Sequence, residues 1–223
     1  MNYEAVIFDM DGVLINSELY WDEEDKFFFG KRGISFDHKM KSYMTGRSMR
    51  EIMEWVRERY GFKETVEELC RERVNLTDSI YTQKAGIMPG VEPLLRLLKS
   101  CNVKMAIASG SFLYRIETIV DRFGWKDFFS ALISTDHVNY VGKPDPAIYS
   151  YTGKQLGIAP ERCVVIEDSV NGVWAAKRAG MKCVAAPDAR WSFGDFSDAD
   201  IIVDTLTDKK LLDFIGIEQS AGI

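Results

Sequence analysis

The chain has 223 residues, 46% of them hydrophobic and 28% charged, with a net charge of −6 and a pI near 5.1. This composition excludes a disordered or fibrous protein. The acidic balance also disfavours a nucleic-acid groove, because the bases are scattered: residues 18–84 hold 14 acids and 13 bases.

Ala5-Val6-Ile7-Phe8 opens the chain as a short apolar run that ends abruptly in Asp9-Met10-Asp11-Gly12. Such runs read as buried strands of a parallel sheet. The acidic start Met1-Asn2-Tyr3-Glu4 leads straight into it, so no secretory signal is expected. Residues 18–84 then lack a convincing strand. Tyr20, Trp21, Phe27 and Phe28 follow a helical period, as do Ile52, Trp55, Val56 and Tyr60, and then Val66, Leu69, Cys70 and Val74. This stretch predicts a helical domain inserted after the first strand, spanning residues 17–85. Residues 1–16 and 86–223 would form the α/β core, with hinges near 14–18 and 84–88. Beyond the insert, strands are predicted at 103–108, 131–134, 163–166, 183–186 and 200–203. Helices are predicted at 91–100, 112–123, 145–156, 171–179 and 208–215. Alternation of this kind gives a Rossmann-like parallel sheet with helices on both faces.

The longest stretch without Asp, Glu, Lys or Arg is the ten residues Met105 to Tyr114, too short to cross a bilayer. Cys70, Cys101, Cys163 and Cys183 form no C-x-x-C pair, and His38 and His137 are the only histidines. Free thiols in a reducing cytoplasm are expected, and a zinc site is not.

Ligands of open α/β sheets bind where the strands end. The strand ends carry Asp9 and Asp11, then Ser109, then Lys143 within Gly142-Lys143-Pro144-Asp145-Pro146, and finally Glu167 and Asp168. Any one of the acids also reads as a helix cap or turn former, Ser109 as a cap, and Lys143 as a solvated loop residue. Together they place four carboxylates against one ammonium. A cluster this dense requires a cation to stay ionised. Its oxygen-only ligands select a hard ion, Mg²⁺ by default. The cation and Lys143 would then attract a phosphate.

On these residues the chain resembles the haloacid dehalogenase-like hydrolases. Within that family it is similar to the β-phosphoglucomutase-like group with a helical cap. Four motifs carry the resemblance in the family's order: Phe8-Asp9-Met10-Asp11-Gly12-Val13-Leu14, Ser109-Gly110-Ser111, Gly142-Lys143-Pro144-Asp145-Pro146 and Val165-Ile166-Glu167-Asp168-Ser169. The resemblance implies a Mg²⁺-dependent phosphatase that hydrolyses a small phosphorylated metabolite, a sugar phosphate, through an aspartyl-phosphate. Asp9 would be the nucleophile, and Asp11 the general acid and base. Ser109 would bond the transferring phosphoryl, and Lys143 would neutralise Asp9. Asp9, the Asp11 backbone carbonyl and Asp168 would hold Mg²⁺, with Glu167 as an additional or outer ligand. Gly12, Gly110 and Ser111, with Ser17, Trp21 and Arg50 from the cap, would bind substrate. The loop Thr45-Gly46-Arg47-Ser48-Met49-Arg50-Glu51 would face the core. Arg50 reads equally as a surface partner of Glu54 at i, i+4.

Two residues depart from the pattern. Trp21 stands where phosphoglucomutases carry a histidine, and Asn16 replaces a usual aspartate. The stretch Leu14 to Asp22 is instead similar to phosphatases of the 2-deoxyglucose-6-phosphate type. β-Phosphoglucomutase activity remains the alternative within the enzyme class. A phospho-accepting receiver-like signalling domain is the alternative outside it, although receivers lack the helical insert. The expected partners are a small metabolite, with neither nucleic acid nor membrane, for a cytoplasmic monomer or weak homodimer.

Overall fold

The computed structural model describes residues 3–217. Its sheet is built around the first apolar run. β1 (Ala5–Phe8) pairs in parallel with both β2 (Lys104–Ser109) and β4 (Cys163–Glu167). β3 (Ala131–Ser134), β5 (Lys182–Ala185) and β6 (Ile201–Ile202) complete a six-stranded parallel sheet, in the order β3-β2-β1-β4-β5-β6. All four β1 side chains are fully buried. A central strand covered on both faces cannot alternate apolar with polar, which explains the unbroken run Ala-Val-Ile-Phe. Burying each large side chain there stabilises the fold by roughly 1.5–3 kcal/mol before entropy costs.

The two faces are packed separately. Val6, Phe8, Met105, Ile107, Val164 and Ile166 point to one side, under α5 (Val91–Ser100), α6 (Leu113–Arg122) and α9 (Lys209–Ile215). Ala5, Ile7, Ala106, Ala108 and Val165 point to the other, under α7 (Ala147–Leu156) and α8 (Val170–Arg178). Smaller residues on that second face let its helices sit close. The predicted strand at 200–203 contracts to Ile201–Ile202, as suits an edge strand bonded on one side only. The predicted strand at 183–186 starts a residue earlier, where Lys182 pairs with Val164 in the ladder and with Asp200 through its side chain.

Between β1 and β2 the chain forms α1 (Glu18–Gly30), α2 (His38–Met44), α3 (Met49–Tyr60) and α4 (Val66–Ser79), ending in a π-helical turn at Ile80–Lys84. Capping boxes start α3 and α4, with Ser48 paired to Glu51 and Thr65 to Glu68. These helices enclose their own apolar cluster of Phe28, Phe29, Met40, Met44, Ile52 and Met53 among others. Two connecting segments meet side by side. The Asn16 N–H donates to the Gly86 carbonyl at 3.0 Å, and the Gly86 N–H donates to Asn16 Oδ1 at 2.6 Å. Asn16 thus supplies the acceptor that an aspartate would supply. Among the described residues, no helix is long and apolar enough to cross a membrane.

Candidate active site

The register of the sheet creates the site. Phe8 is level with Ile107 on one side and Ile166 on the other, so Asp9 emerges between Ala108 and Glu167. The chain runs from β1 outward to β3 and returns to β4 on the other side of β1, so the strand order reverses at this point. Lys143 reaches in from the loop before α7. Its Nζ donates to Asp9 Oδ1 and to Glu167 Oε1, both at 2.5 Å, and to the Ala108 carbonyl at 3.3 Å. Burial alone would depress this ammonium, but Asp9 and Glu167 hold it well above the ordinary lysine range.

Glu167 is fully buried and both its oxygens are engaged. Oε1 accepts from Lys143 and from the Tyr149 hydroxyl at 2.6 Å. Oε2 accepts from the backbone N–H groups of Asp168 and Ser169 and from the Ser169 hydroxyl. Gly172 makes room for it, since a Cβ there would lie 1.9 Å from the carboxyl carbon. These bonds make Glu167 the anchor of Lys143, and the same residue stays beside the Asp9 and Asp168 carboxylates, where an additional or outer ligand was expected.

Asp9, Glu167 and Asp168 each offer an oxygen within 4.8 Å of the others. Burial pushes the Asp9 carboxyl up to about 8; Lys143 opposes the shift, while Glu167 and Asp11 add to it. Burial, then Glu167 and Asp9, also push Asp168 well above the carboxylate range. One ammonium therefore leaves the cluster short of positive charge. A hard divalent cation fits both that deficit and the all-oxygen donor set.

Asp11 turns away from this trio. Its Oδ1 accepts from the Ser17 hydroxyl at 2.7 Å and the Tyr81 hydroxyl at 2.9 Å. Its Oδ2 accepts from Ser111 at 2.9 Å and Ser109 at 3.2 Å. Ser17, expected to touch substrate, is buried and instead holds Asp11. Gly12 likewise does not line the cavity. It has φ +87°, and a Cβ would sit 2.2 Å from Asp168 Oδ2, so glycine lets the first and last motifs close on each other.

A cavity of about 110 Å³ opens between the sheet edge and the helical insert. Asp9, Asp11, Ser109, Gly110, Ser111 and Asp168 line its core side, and Trp21 lines it from the insert. The Thr45–Glu51 loop docks on the core as expected: the Lys143 N–H donates to the Gly46 carbonyl, the Gly142 N–H to Glu51, and Ser48 to the Tyr140 carbonyl. Arg50 does not enter the cavity. It is exposed and bonds Glu54 and Glu67, because α3 buries Met49, Ile52, Met53 and Val56 and leaves position 50 on the solvent face. The cations that line the cavity are Arg47, Arg73 and Arg115. Arg73 is buried against Asp25, and the guanidinium groups of Arg73 and Arg115 lie 4.9 and 5.8 Å from the Trp21 ring. Helical spacing marked the segments carrying Tyr81, Arg73 and Arg115 without revealing which residues face the core.

Glu18 also lines the cavity. Burial pushes its carboxyl up to about 7, against the pull of Lys41. The folded chain therefore keeps a proton on Glu18, between about pH 4.5 and 7, that the unfolded chain has released. The stability from this proton is complete below pH 4.5 and disappears as pH rises through 7. In metal-free protein, denaturant melts should show Glu18→Gln gaining on the parent by on the order of 1–3 kcal/mol between pH 4.5 and 8. A difference independent of pH would remove this account of Glu18.

Comparison with known proteins places these features in context. The family model described as haloacid dehalogenase-like hydrolase matches residues 3–180. A bifunctional riboflavin kinase/FMN phosphatase of Arabidopsis thaliana is 33% identical over 208 residues, covering 93% of this chain and 54% of that protein. The chain thus spans about half the length of that relative. Hexitol phosphatase B of Escherichia coli strain K12 is 30% identical over 216 residues, covering 95% of this chain and 96% of that protein. The crystal structure of β-phosphoglucomutase from Clostridium difficile superposes with a TM-score of 0.80 at 27% identity, covering 96% of each chain.

Proposed function

The chain belongs to the haloacid dehalogenase-like hydrolases and is a phosphoric monoester hydrolase; from that premise we propose that it is a Mg²⁺-dependent phosphatase of small sugar phosphates, acting through an aspartyl-phosphate. The observation that carries this reading is Asp9, gripped by Lys143 beside Asp168 in a cavity that also admits Asp11. Asp9, the Asp11 carbonyl and Asp168 would hold Mg²⁺, which when bound supplies positive charge against the phosphoryl oxygens. Asp9 attacks phosphorus and the ester oxygen leaves. Asp11 delivers a proton to that oxygen, then takes one from the water that hydrolyses the aspartyl-phosphate. Lys143 positions Asp9 and favours its ionised form alongside the cation's charge, while Ser109 and the Gly110-Ser111 turn offer donors to the phosphoryl group.

Residues 17–85 act as a cap on a core of residues 1–16 and 86–223. The paired segments at Asn16 and Gly86 form the hinge, and closure excludes water during attack. The insert side of the cavity meets the leaving alcohol. An indole beside two guanidinium groups suits a polyhydroxylated chain or ring, with an apolar face on Trp21 and hydroxyls toward Arg73 and Arg115. Hexitol phosphatase B, whose name specifies such a substrate, is among the relatives. The mutase alternative is disfavoured by Trp21, which offers no titrating group where phosphoglucomutases have a histidine. The receiver alternative falls to the hydrolase family match.

The test is release of inorganic phosphate from a panel of hexose, hexitol and pentose phosphates. Chelation should eliminate release, Mg²⁺ should restore it, and Ca²⁺ should inhibit, because Ca²⁺ prefers more ligands at longer distances. Full activity in excess chelator would refute the metal assignment. Isomerisation of glucose 1-phosphate without net phosphate release would turn the reading to the mutase.

A further inference from the structure

Beyond β5 the chain makes an excursion over residues 187–199 before reaching β6. No motif marks this segment, yet it delivers two donors to the core site. The Trp191 indole N–H donates to Asp168 Oδ2 at 3.2 Å, and the Ser192 hydroxyl donates to the same oxygen at 3.1 Å. Trp191 is 3% exposed, so its N–H is committed to this contact. The segment is braced from within. The backbone N–H groups of Trp191 and Ser192 both donate to the Asp188 carbonyl, at 3.0 and 2.8 Å. The Asp188 carboxylate bonds Arg190, whose guanidinium lies 4.4 Å from the Trp191 ring centre. At the far end, Gly194 passes so close to α8 that a Cβ would meet a Val170 methyl at 2.8 Å.

We infer that Trp191 and Ser192 are positioning residues for the metal carboxylate, fixing Asp168 by its Oδ2 so that Oδ1 is left to ligate. This inference rests on the reading of Asp9 and Asp168 as metal ligands. The need for such a device follows from the position of Asp168. Its neighbour Glu167 is held at both oxygens by five donors, whereas Lys143 donates to Asp9 and Glu167. Without Trp191 and Ser192, the Asp168 carboxylate would lose both of the side-chain donors at Oδ2. It would be free to rotate about its χ2 axis and would bring the cation a less defined ligand. Two neutral donors hold the carboxylate without neutralising it, so its charge remains available to the ion. Outer partners of this kind are worth roughly 10–100-fold in metal affinity.

The experiment is a titration of the metal-free full chain with Mn²⁺, following free Mn²⁺ by electron paramagnetic resonance, with Mg²⁺ binding measured in parallel by calorimetry. Ser192→Ala and Trp191→Phe should each weaken Mn²⁺ binding, and the pair together by roughly 10–100-fold. Ser192→Thr, which keeps the hydroxyl, should bind Mn²⁺ more tightly than Ser192→Ala and close to the parent. The Mg²⁺ concentration that half-activates the enzyme should rise by a larger factor than kcat falls. Melting of the metal-free proteins separates this from general damage: Ser192→Ala should melt with the parent, a result that a merely structural role would not combine with weakened Mn²⁺ binding. Parent-like Mn²⁺ affinity in both single variants would overturn the inference and leave the metal site standing. Failure of the parent itself to bind Mn²⁺ would overturn both.

Discussion

Asp9→Asn should leave the chain folded and reduce phosphate release to below about 1% of the parent rate. The amide keeps the shape of the carboxylate and can still accept from Lys143 through Oδ1. Lys143 is not orphaned, because Glu167 holds it at 2.5 Å and is itself fixed by Tyr149 and by backbone donors. What disappears is the oxygen that attacks phosphorus, along with one negative charge of the cation site. Stability should move the other way from activity. Burial pushes Asp9 up to about 8, above its ordinary 3.8, so in metal-free protein ionising it costs the fold free energy as pH rises through 8. Asn carries no such cost. Metal-free Asp9→Asn should therefore gain on the parent as pH rises from about 4 to 8, and hold that advantage level above 8. An inactive variant with the parent's melting profile or better is the expected pairing. More than a few per cent of residual turnover would show that another group attacks.

The carboxylates of this core site and Ser109 were legible because they stand where apolar runs end, and Lys143 because it lies in the Gly142-Lys143-Pro144-Asp145-Pro146 motif. A buried parallel strand has no use for a carboxylate at its end unless something is bound there, and Asp9, Glu167 and Asp168 all stand at such ends. The register then does the rest, since Phe8 level with Ile166 puts Asp9 beside Glu167 without further instruction. The wall of the cavity was less legible. Arg50 has the right residue type on the wrong phase of α3, and the apolar positions 49, 52, 53 and 56 already assign it to solvent. Arg73 and Arg115 lie on helices whose polar positions look alike until the neighbouring element is known. Gly12 sits in the first motif and Ser17 just beyond it, but both serve the motif internally, Ser17 bonding Asp11 and Gly12 yielding space to Asp168. Trp191 and Ser192 left no periodic signal at all. Their segment is irregular, and an aromatic residue in a loop carries no indication of which oxygen it will meet.

Asp11→Asn should slow only the proton-dependent steps, and by roughly 10²–10⁴-fold. The geometry lets the substitution be read cleanly. Four hydroxyls converge on the Asp11 carboxylate, from Ser17 and Tyr81 on one oxygen and Ser109 and Ser111 on the other. An asparagine can keep this arrangement, because its carbonyl accepts where Oδ1 does and the serine hydroxyls can rotate to accept from its amide. The Asp9–Lys143 pair is not touched by the change. Two esters then divide the cycle. A sugar alkoxide is a poor leaving group that requires a proton, so the variant should form the aspartyl-phosphate slowly from a sugar phosphate. p-Nitrophenolate leaves without one, so attack by Asp9 on p-nitrophenyl phosphate should stay fast. Activation of water against the aspartyl-phosphate still requires Asp11 as base, whichever ester supplied the phosphoryl group. Rapid mixing with p-nitrophenyl phosphate should therefore give a burst of p-nitrophenol, close to one equivalent of enzyme, followed by slow turnover. The sugar phosphate should give no burst of alcohol. Slow release from the first turnover with both esters would mean that Asp11 positions the site as a whole, and its role as proton carrier would have to be abandoned.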